Sequence, residues 1–580
     1  MRLIYDQRRK RYLLECSFDE RNTPKKVKFN WDPNQKKWYT ENPTIAKKLS
    51  KYAADDLSIS IDVHIENYNE IELYHDSGVY VLRCSFDDRH IAKDAGFKWD
   101  SNQKKWYTHD ISTAYQLKQY AVDNLFAEYE KSLEASRSSE VIDQHLPVPK
   151  NLSYLPYQNA GIAQAVHRFQ KTGCQSIAFF DEQGLGKTVE SIGVANVMGY
   201  SKILVICPAS LRLNWKNEIN KWLLPELNNG VNVLLNRNKG LDPAKINITS
   251  YNLTYALNSS IKPELIIIDE CHYLKNPKAH RTIRVLDKKV LGKSKIIFLS
   301  GTPYPNGKPN EAFPILKVCA PEVINNDKYW DFVNKYCEIE KDKYGIKIIG
   351  AKNAEQLNNK LRSSGFMIRR LKKDVLNELP DKQYKMVVLS PDKPLKAILK
   401  KEENFDVDDI IKFGMPKGSA LPELRREMGL AKIKQSVQYI KDMLDSGTKK
   451  VVVFCHHTEV NRVLENHLKD YGAVSIKGDT PLEVRQKNIE LFQDENSKIK
   501  AIIGNIQAMG VGHTLTQAHD VVMVEQSWVP GENEQAVDRC HRIGQENKVL
   551  VHYIVVEKSI DAKVLEAATK KAEDIDKLTS

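Results

Sequence analysis

The sequence predicts an α/β protein in which parallel sheets flanked by helices follow two small α+β repeats. Three observations lead to this prediction: a duplicated segment near the amino terminus, an apolar strand that runs into a glycine-rich turn and a helix, and a second apolar strand that ends in paired carboxylates. At 580 residues the chain is too long for one core, and ordinary domain sizes predict roughly three or four domains.

The composition is that of an ordinary globular protein, with 41% hydrophobic and 28% charged residues. No apolar run approaches the roughly twenty residues that a membrane span needs, so no membrane contact is expected. The nine cysteines include no C-x-x-C pair, which predicts neither a zinc site nor a disulfide framework and favours an intracellular compartment. We expect the cytoplasm of a prokaryotic or phage-infected cell, or the nucleus if the source is eukaryotic. Lys and Arg exceed Asp and Glu by 87 − 75 = 12; this surplus suits an anionic polymer, although many proteins without such a partner share it.

The amino terminus is charged throughout Met1 to Arg11. It therefore lacks the apolar segment of a secretory signal. The basic run Arg8 to Arg11 allows two interpretations: a solvated flank of the following strand, which we favour, or a nuclear address or nucleic-acid contact.

Two stretches near the amino terminus are copies of one another. Tyr12 to Thr40 and Tyr80 to Thr108 align without a gap at an offset of 68 residues. The match continues into apolar positions spaced as on one helix face: Ala46, Leu49, Tyr52 and Ala53 in the first copy, and Ala114, Leu117, Tyr120 and Ala121 in the second. We therefore expect two modules, over residues 1–68 and 69–129.

Each module is predicted to be a compact α+β unit. In the second copy the alternating run Tyr80 to Phe86 predicts a strand, and Asp88 to Ala95 predicts a short helix closed by a glycine. Asp100 to Gln103 predicts a turn between two short strands, which carry Trp99 and Trp106.

The aromatic and basic side chains of the repeats allow two interpretations each. Tryptophans are more often core residues than ligand platforms, and there are four: Trp31, Trp38, Trp99 and Trp106. Lysine pairs beside the turn of each copy are suited to gripping phosphates or are merely solvated: Lys36 with Lys37, and Lys104 with Lys105. Over Met1 to about Glu128 the modules resemble the HARP-type repeats found ahead of some annealing helicases, and also a short W-D-x-x-x-K-x-W-Y module attached to varied DNA enzymes.

A polar segment without apolar periodicity, punctuated by Pro147 and Pro149, follows the repeats. It predicts a linker over residues 130–152. Beyond it, Ser176 to Phe180 predicts a buried strand, and the letters DEQGLGKTVES, from Asp181 to Ser191, predict a turn and a helix. Asp181 stands where the strict G-x-x-x-x-G-K-T pattern has its first glycine, and chance G-K-T strings are the competing explanation.

Each residue of this loop has a chemical reason to hold phosphates. Gly184 and Gly186, with Leu185 between them, let the backbone approach the ligand and aim N–H groups at its oxygens. Lys187 is suited to neutralising the β- and γ-phosphate charges, and the Thr188 hydroxyl to holding Mg²⁺. The loop therefore predicts nucleotide binding.

The second apolar strand, Leu265 to Ile268, ends in the letters DECH, from Asp269 to His272. Carboxylates at the carboxyl edge of a parallel strand face the ligand crevice. We expect Asp269 to complete the Mg²⁺ shell through water and Glu270 to take the proton from the attacking water.

The motifs LPYQ, DEQGLGKT, CPASLRLNW, DECH, LSGTP and QAVDRCHRIGQ occur in that order. In this order they resemble the helicase superfamily 2 motifs of Swi/Snf-type DNA translocases, over Ser153 to about Glu566. The resemblance implies two RecA-like lobes, at residues 153–320 and 431–560, with a helical connecting region over 321–430 and a carboxyl-terminal helix over 561–580. That final helix would follow a last strand at Val549 to Val556.

The same resemblance implies roles for further residues. Gln158 would read the adenine of ATP. Pro208 to Ser210 and Ser300 to Thr302 would link the nucleotide to a DNA strand. Three residues of the last motif would face the γ-phosphate from the second lobe: Gln535, Arg539 and Arg542. The two arginines are three residues apart, a spacing that predicts one helix face.

The sequence departs from the family pattern at two places. Gln183 replaces the methionine usual beside the glycine turn. Asn505 to Asp520 occupies the place of the family's S-T-R-A-G-G-x-G-I-N-L motif without its Ser-Thr-Arg, although Gly510, Gly512 and Leu515 are retained and Gly512 stays a nucleotide-contact candidate. Met367 to Gln383, by contrast, closely resembles the annealing-helicase branch.

These residues together predict an ATP-dependent translocase on double-stranded DNA that acts on branched or remodelled DNA, with ATP and Mg²⁺ as its cofactors. Contacts with DNA are expected mostly at the phosphate backbone, with a monomeric protein and possible replication or repair partners. Two alternatives remain: an RNA-directed helicase of the same superfamily, and a DNA-binding scaffold with a weakened motor. No additional cluster that would make a nuclease is evident outside the two lobes.

Overall fold

The computed structural model describes the chain except residues 8, 34, 67–70, 86–87, 123, 136–145, 172, 238–239, 259, 343–344, 377, 403–419, 511–513, 564 and 567–580. The chain forms two compact units, Met1–Ala127 and Glu128–Ser580. Among the described residues, no helix has both the length and the apolar character needed to cross a bilayer.

The first unit contains the two repeats, and each repeat has a four-stranded antiparallel sheet. The strands of the first repeat are β1 (Arg2–Asp6), β2 (Arg11–Glu15), β3 (Asn30–Asp32) and β4 (Lys37–Thr40), in the order β1-β2-β4-β3. Its helices are Asn22–Lys26, Pro43–Lys47 and Asp55–Glu66. The second repeat has β5 (Glu72–Asp76), β6 (Val79–Arg83), β7 (Lys98–Asp100) and β8 (Lys105–Thr108), in the order β5-β6-β8-β7, with helices Arg89–Asp94 and Ile111–Tyr115.

The elements predicted for the second repeat are confirmed with shifted ends. The predicted strand is β6, and Phe86 lies outside the described residues. The predicted helix spans Arg89–Asp94 and is followed by Gly96, whose φ of +89° suits a residue without a Cβ. The helix expected to continue past Ala46 is interrupted, because Pro43–Lys47 ends and a separate 3₁₀ turn, Ser50–Tyr52, follows.

The tryptophans divide between core and surface. Trp38 is buried with the core of its repeat, as expected for a core aromatic. Trp31 and Trp99, at equivalent places on β3 and β7, are 48% and 50% exposed, so the core interpretation is wrong for these two. Each packs its ring against the tryptophan opposite on the next strand, with centroids 5.3 Å apart in both copies. An edge strand leaves one side of such a ring uncovered, which explains the exposure.

The first sheet of the second unit has seven strands, all parallel. They are β9 (Ser176–Phe179), β10 (Ile203–Cys207), β11 (Val231–Val233), β12 (Ile246–Ser250), β13 (Leu265–Asp269), β14 (Lys295–Leu299) and, after an antiparallel hairpin of β15 (Cys337–Asp342) and β16 (Gly345–Ala351), β17 (Met367–Ile368). Their order is β11-β12-β10-β13-β14-β9-β17. Helices flank this sheet: Ala127–Ala135, Pro156–Lys171, Lys187–Met198, Arg212–Trp222, His280–Val285, Lys288–Leu291, Phe313–Cys319, Tyr329–Tyr336, Ala354–Ser363 and Lys372–Val375. The central strands are apolar throughout because both faces of the sheet are covered.

The second sheet has six parallel strands. They are β18 (Lys382–Leu389), β19 (Val451–Cys455), β20 (Val474–Ile476), β21 (Ala501–Asn505), β22 (Asp520–Met523) and β23 (Val549–Val556), in the order β18-β23-β22-β19-β21-β20. Helices of this part are Lys393–Glu402, Leu421–Asp445, Thr458–His467, Leu482–Gln493, Ile506–Met509 and Pro530–Val537. The predicted last strand is confirmed at both ends. The two sheets, each with its helices, are called the first and second lobes below.

The interval 321–430 is more than a helical connection. It supplies β17 to the edge of the first lobe and β18 to the edge of the second, so the expected lobe ends at 320 and 431 require correction. The sequence hid β17 because it has only two residues and pairs with β9, which lies far away along the chain. The expected linker, 130–152, begins within helix Ala127–Ala135, and its residues 136–145 lie outside the described part. Most of the predicted helix over 561–580 also lies outside it.

Candidate active site

The glycine-rich turn after β9 has the backbone shape that its sequence predicts. Gly184 and Gly186 take φ values of +88° and +84°, and helix Lys187–Met198 begins directly after Gly186. The positive φ of Gly186 favours glycine, and a Cβ at this place would also have to displace the side-chain amide of Gln158. The N–H groups of the first helical turn have no partners within the helix and can face an anion.

The ammonium of Lys187 is held by its own loop. Its Nζ donates hydrogen bonds to the carbonyl oxygens of Asp181 at 2.7 Å and Glu182 at 3.1 Å. Burial lowers the pKa of Lys187, because an ammonium away from water is costly. Phosphate oxygens would compensate that charge better than the two neutral carbonyls.

Asp181, at the place of the missing glycine, anchors the loop from behind. Its Oδ2 is 2.5 Å from Nη2 of Arg370, and its Oδ1 accepts from Arg370 Nε at 3.0 Å and from the Arg370 backbone N at 2.7 Å. Arg370 also pairs with Glu190 on the helix after the loop. Burial alone would raise the pKa of Asp181, but the Arg370 charge outweighs it and the pKa lies below its usual range. The departure from glycine therefore serves an ion pair and leaves the phosphate-facing part of the loop intact.

The residues on either side of Arg370 extend this connection. Arg369 donates from Nη1 to the carbonyl oxygens of Phe180 and, at 3.2 Å, of Gly301. The Lys372 backbone N donates to Glu182 Oε2 at 2.8 Å. Lys372 Nζ donates to Asp538 Oδ1 at 2.8 Å, in the second lobe. One short segment thus contacts the phosphate loop of the first lobe and the last motif of the second.

Gln158 lies against the phosphate loop. Its Nε2 donates to the Leu185 carbonyl oxygen at 3.1 Å, and its Oε1 accepts from the Leu155 backbone N at 3.0 Å. Tyr157 donates from its hydroxyl to the same Leu185 oxygen at 3.0 Å. The adenine-reading role of Gln158 stays a prediction.

The carboxylates after β13 lie in the same cleft. Trp215 Nε1 donates to Asp269 Oδ2 at 2.8 Å, and the Glu270 backbone N donates to Asp269 Oδ1 at 2.9 Å. Glu270 has a φ of +50°, an unfavourable backbone conformation for a residue with a Cβ and one that concentrates at functional sites. His272 Nδ1 is 3.3 Å from Glu270 Oε2 and 3.2 Å from Ser300 Oγ. His272 therefore joins the carboxylate to the LSGTP segment.

The pKa values of the two carboxylates shift in opposite directions. Burial, and then the Glu270 charge, raise the pKa of Asp269 to about 7. Burial would also raise the pKa of Glu270, but the His272 imidazole outweighs it and the pKa lies below its usual value. Glu270 therefore stays ionised and able to accept a proton at neutral pH.

The second lobe reaches into this cleft with two side chains. Gln535 Nε2 donates to Glu270 Oε1 at 2.6 Å, and Arg539 Nη2 donates to Gln183 Oε1 at 2.9 Å. Burial, and then the charge of Arg542, lower the pKa of Arg539 to about 10. The structure thus brings Gln535 and Arg539 to the predicted site.

Arg542 lies differently from Arg539. Its Nη1 donates to Thr514 Oγ1 at 3.1 Å. Its Cβ packs against Gly184, so closely that a Cβ added to Gly184 would lie 2.9 Å from it. The expectation that both arginines share a helix face is wrong: helix Pro530–Val537 ends before them, and both lie in the turns that follow. The H-R-I-G-Q letters carry a glycine and no long apolar periodicity, which explains why the helix stops early.

The remaining sequence candidates are placed less directly. Thr302 N donates to Ser300 Oγ at 3.2 Å, and Pro208 precedes the 3₁₀ turn Ala209–Leu211. In the altered motif, Asn505 Nδ2 donates to the His456 carbonyl oxygen at 2.8 Å within the second lobe. Gly512 lies outside the described residues.

A magnesium ion fits the residues present. Thr188 is half-buried in the first turn of its helix, and Asp269 offers a carboxylate in the same cleft. Hydroxyl and carboxylate oxygens are the donors that Mg²⁺ takes alongside phosphate oxygens and water. The Glu270 charge also acts on the Asp269 carboxylate, and a cation would neutralise the repulsion between the two.

Sequence reasoning missed several residues of this site. Arg369, Arg370 and Lys372 were noted only as part of a family-like segment, and Trp215 and His272 carried no predicted role. Their partners lie far away along the chain: Arg370 is 189 residues from Asp181, and Lys372 is 166 residues from Asp538. The run of two arginines and a lysine was the available signal, since buried cations require paired anions.

Two family models match most of the chain beyond the repeats. A family described as "SNF2-related domain" matches residues 157–415, and "Helicase conserved C-terminal domain" matches 432–544. Residues 80–121, in the second repeat, match a "Domain of unknown function".

Relatives match across both lobes. The "SWI/SNF-related matrix-associated actin-dependent regulator of chromatin subfamily A-like protein 1" of Xenopus tropicalis is 33% identical over 70% of this chain and 43% of its own length. The "DNA annealing helicase and endonuclease ZRANB3" of Homo sapiens is 31% identical over 76% of this chain and 41% of its own length. A solved "Sulfolobus solfataricus SWI2/SNF2 ATPase core in complex with dsDNA" is 25% identical, covering 75% of this chain and 95% of that one, with a TM-score of 0.36. The chain spans less than half the length of the two relatives named here.

Proposed function

The chain belongs to the SNF2-related helicase family, and on that premise we propose that it is a motor that hydrolyses ATP to move along double-stranded DNA, acting on branched or remodelled DNA. One observation carries the proposal: side chains from both lobes meet at a single cleft that also contains the phosphate loop. Gln535 and Arg539 touch Glu270 and Gln183 across the boundary between the lobes. A cleft that only lobe closure completes converts the binding and loss of a nucleotide into movement.

The chemistry follows from the placement of the charged groups. Glu270 is suited to taking a proton from a water molecule as the water oxygen attacks the γ-phosphorus and the bond to the β,γ-bridging oxygen breaks. Lys187 and Arg539 would neutralise the negative charge that spreads over the transferring phosphoryl group. Gln158 would hold the adenine edge. Bound Mg²⁺, held by Thr188 and through water by Asp269, would supply additional neutralisation of the phosphate oxygens.

Arg542 and Gly512 would complete the nucleotide-facing surface of the second lobe. Arg542 packs on Gly184, and its guanidinium donates to Thr514. A modest rotamer change would turn it toward a bound γ-phosphate.

DNA as the partner is supported by the relatives' names and by the charge distribution. One relative is named a DNA annealing helicase, and this chain carries a net charge of +12. Within the repeats, Lys and Arg exceed Asp and Glu by 14 − 6 = 8 over residues 2–52 and by 7 − 7 = 0 over 72–120. The first repeat is therefore the more suitable one for gripping phosphates, through residues such as Lys36 beside its turn.

A DNA-binding scaffold with a weakened motor is the second candidate. The altered motif favours it, because Asn505 is engaged with His456 inside the second lobe in place of the family's Ser-Thr-Arg. Such a protein would bind DNA equally well with or without a functional hydrolytic site.

ATP hydrolysis measured with duplex DNA, forked DNA and RNA separates these functions. We expect strong stimulation by duplex or forked DNA, weak stimulation by RNA, and complete loss in Lys187→Ala with DNA affinity unchanged. Stimulation by RNA alone would favour the RNA-directed helicase. DNA binding without any hydrolysis by the wild-type protein would favour the scaffold.

A further inference from the structure

Gln183 occupies the cleft between the phosphate loop and the second lobe, and no role has been given to it so far. It is only 7% exposed. Its side chain passes so close to the backbone of Gly301 that a Cβ at Gly301 would collide with Gln183 Cγ. The LSGTP segment therefore fixes the direction in which the amide points.

The two ends of this amide are in different situations. Gln183 Oε1 accepts the hydrogen bond from Arg539 Nη2 at 2.9 Å. Gln183 Nε2 is buried, and within the described part of the chain no acceptor lies at hydrogen-bonding distance. A buried N–H group without an acceptor costs about 1–3 kcal/mol, so its persistence here indicates a ligand that is to be received.

Arg539 lacks an anionic hydrogen-bond acceptor, just as Gln183 Nε2 lacks any acceptor among the described residues. Arg539 is 7% exposed, and its guanidinium donates to the Gln535 carbonyl oxygen at 3.1 Å and to Gln183, both of them neutral acceptors. No carboxylate of the described residues lies within 4.0 Å of it to form an ion pair. A buried cation whose hydrogen bonds go only to neutral acceptors and a buried N–H without an acceptor among the described residues thus lie side by side. Gln183 is three residues along the chain from Gly186.

We propose that Gln183 is a binding residue for the terminal phosphoryl group of a nucleoside triphosphate: Nε2 donates to a γ-phosphate oxygen while Oε1 holds Arg539 against the same group. Both unsatisfied groups are then satisfied by one anion. The diphosphate product lacks that anion, so Gln183 distinguishes the triphosphate from the diphosphate. This inference rests on the proposed function, because it assumes that the cleft binds a nucleotide.

Gln183→Met is the informative variant. Methionine has a similar length and fills the same space beside Gly301, but its thioether neither donates an N–H nor holds a guanidinium strongly. It is also the residue stated above as usual at this place in the family. A hydrogen bond to a charged group contributes enough for removal to weaken binding about tenfold or more.

The experiment measures equilibrium affinities for ADP and for a non-hydrolysable ATP analogue in the full chain with Mg²⁺. We expect Gln183→Met to weaken binding of the analogue about tenfold and to leave ADP affinity within about twofold of the wild type. Gln183→Glu should weaken analogue binding further, because its carboxylate pairs with Arg539 but repels the γ-phosphate. An unchanged analogue-to-ADP ratio in Gln183→Met overturns the proposal.

The hold on Arg539 is tested by a double-mutant cycle. In Gln183→Met we expect kcat with saturating DNA to fall about tenfold, and in an Arg539→Lys background the same substitution should have a smaller effect, because the two residues act through one contact. Equal effects in both backgrounds overturn the positioning role. The binding ratio needs no hydrolysis, so a wild-type protein that binds ADP and the analogue but does not hydrolyse ATP would refute the motor and leave the Gln183 result to be decided by the ratio alone.

Discussion

The two sides of the nucleotide cleft are built in different ways. On the first-lobe side, catalytic candidates are held by neighbours in their own lobe: Lys187 by the carbonyl oxygens of its own loop, and Asp269 by Trp215. On the second-lobe side, Gln535 and Arg539 find their side-chain partners in the opposite lobe. The first side exists before the lobes meet, whereas the second acquires its geometry only through the meeting. The candidate binding residues are therefore held locally, and the residues proposed to couple hydrolysis to movement are not.

Among the variants that test this difference, removal of the Arg539 side chain should have the largest effect on ATP hydrolysis. In Arg539→Ala we expect ATP hydrolysis to fall about a thousandfold or more, as for other arginines supplied to a phosphoryl group from a moving part. ADP affinity should stay within about twofold of the wild type, because the first-lobe side is already assembled. Steady-state hydrolysis and ADP titration check this prediction.

Arg539→Lys is the matched control. It keeps the charge but not the planar fork, so it should recover only a small part of the lost rate. A large loss of ADP affinity in either variant would show that the two sides of the cleft are not independent.

Glu270→Gln sharpens the comparison from the first-lobe side. The amide is nearly isosteric and keeps an oxygen to accept from Gln535 Nε2, but it cannot take a proton from water. We expect a decrease in kcat of about a hundred- to ten-thousandfold. Triphosphate binding and lobe closure should remain, so the variant should accumulate with ATP bound in rapid-filtration measurements. Rapid loss of ATP from this variant would mean that the negative charge of Glu270 is also needed to keep the lobes closed on the nucleotide.

The parts of the fold and the site that could be predicted from the sequence follow the same division between local and distant contacts. The glycine turn, β13 and its carboxylates, and β23 were predicted within a residue or two, because each is specified by adjacent letters. The edge strand β17 was not predicted, since its pairing with β9 joins segments far apart in the sequence. The early end of helix Pro530–Val537 was also missed, although the glycine of H-R-I-G-Q was a local signal for it. From the sequence, Asp181 was only a departure from the glycine of the loop pattern, whereas the structure pairs it with Arg370. The sequence shows both residues of that ion pair but not that they lie close together.

Lys372 contacts both lobes, because its backbone N–H binds Glu182 in the first lobe and its ammonium binds Asp538 in the second. Lys372→Met should destabilise the joined lobes by about 2 kcal/mol, less than for a lone buried pair, because Lys382 also lies 3.2 Å from Asp538. We expect the two lobes to unfold in separate steps on heating, together with a decrease in kcat of roughly tenfold. Lys373→Met, at the exposed next residue, is the control and should change neither. A single unchanged transition in Lys372→Met would show that the lobes are held together elsewhere.

The smallest expected effect lies within the second lobe. It tests whether the free energy of unfolding of this lobe changes as the pH rises through neutrality. Glu402, at the end of helix Lys393–Glu402, accepts from the Ile560 backbone N at 2.8 Å through Oε2. Burial raises the pKa of Glu402 to about 7, above its usual value, so the folded protein holds this proton more tightly than the unfolded chain. The contribution of the protonated Glu402 carboxyl to stability is then complete below about pH 4.5 and is lost as the pH rises through about 7.

Glu402→Gln stays neutral and keeps an oxygen for Ile560, so we expect the variant to be about 1–2 kcal/mol more stable than the wild type at pH 8 and equal to it near pH 4.5. Denaturant unfolding at the two pH values measures the difference, and parallel curves would mean that solvent reaches the carboxylate and that the pH response of the second lobe comes from another group.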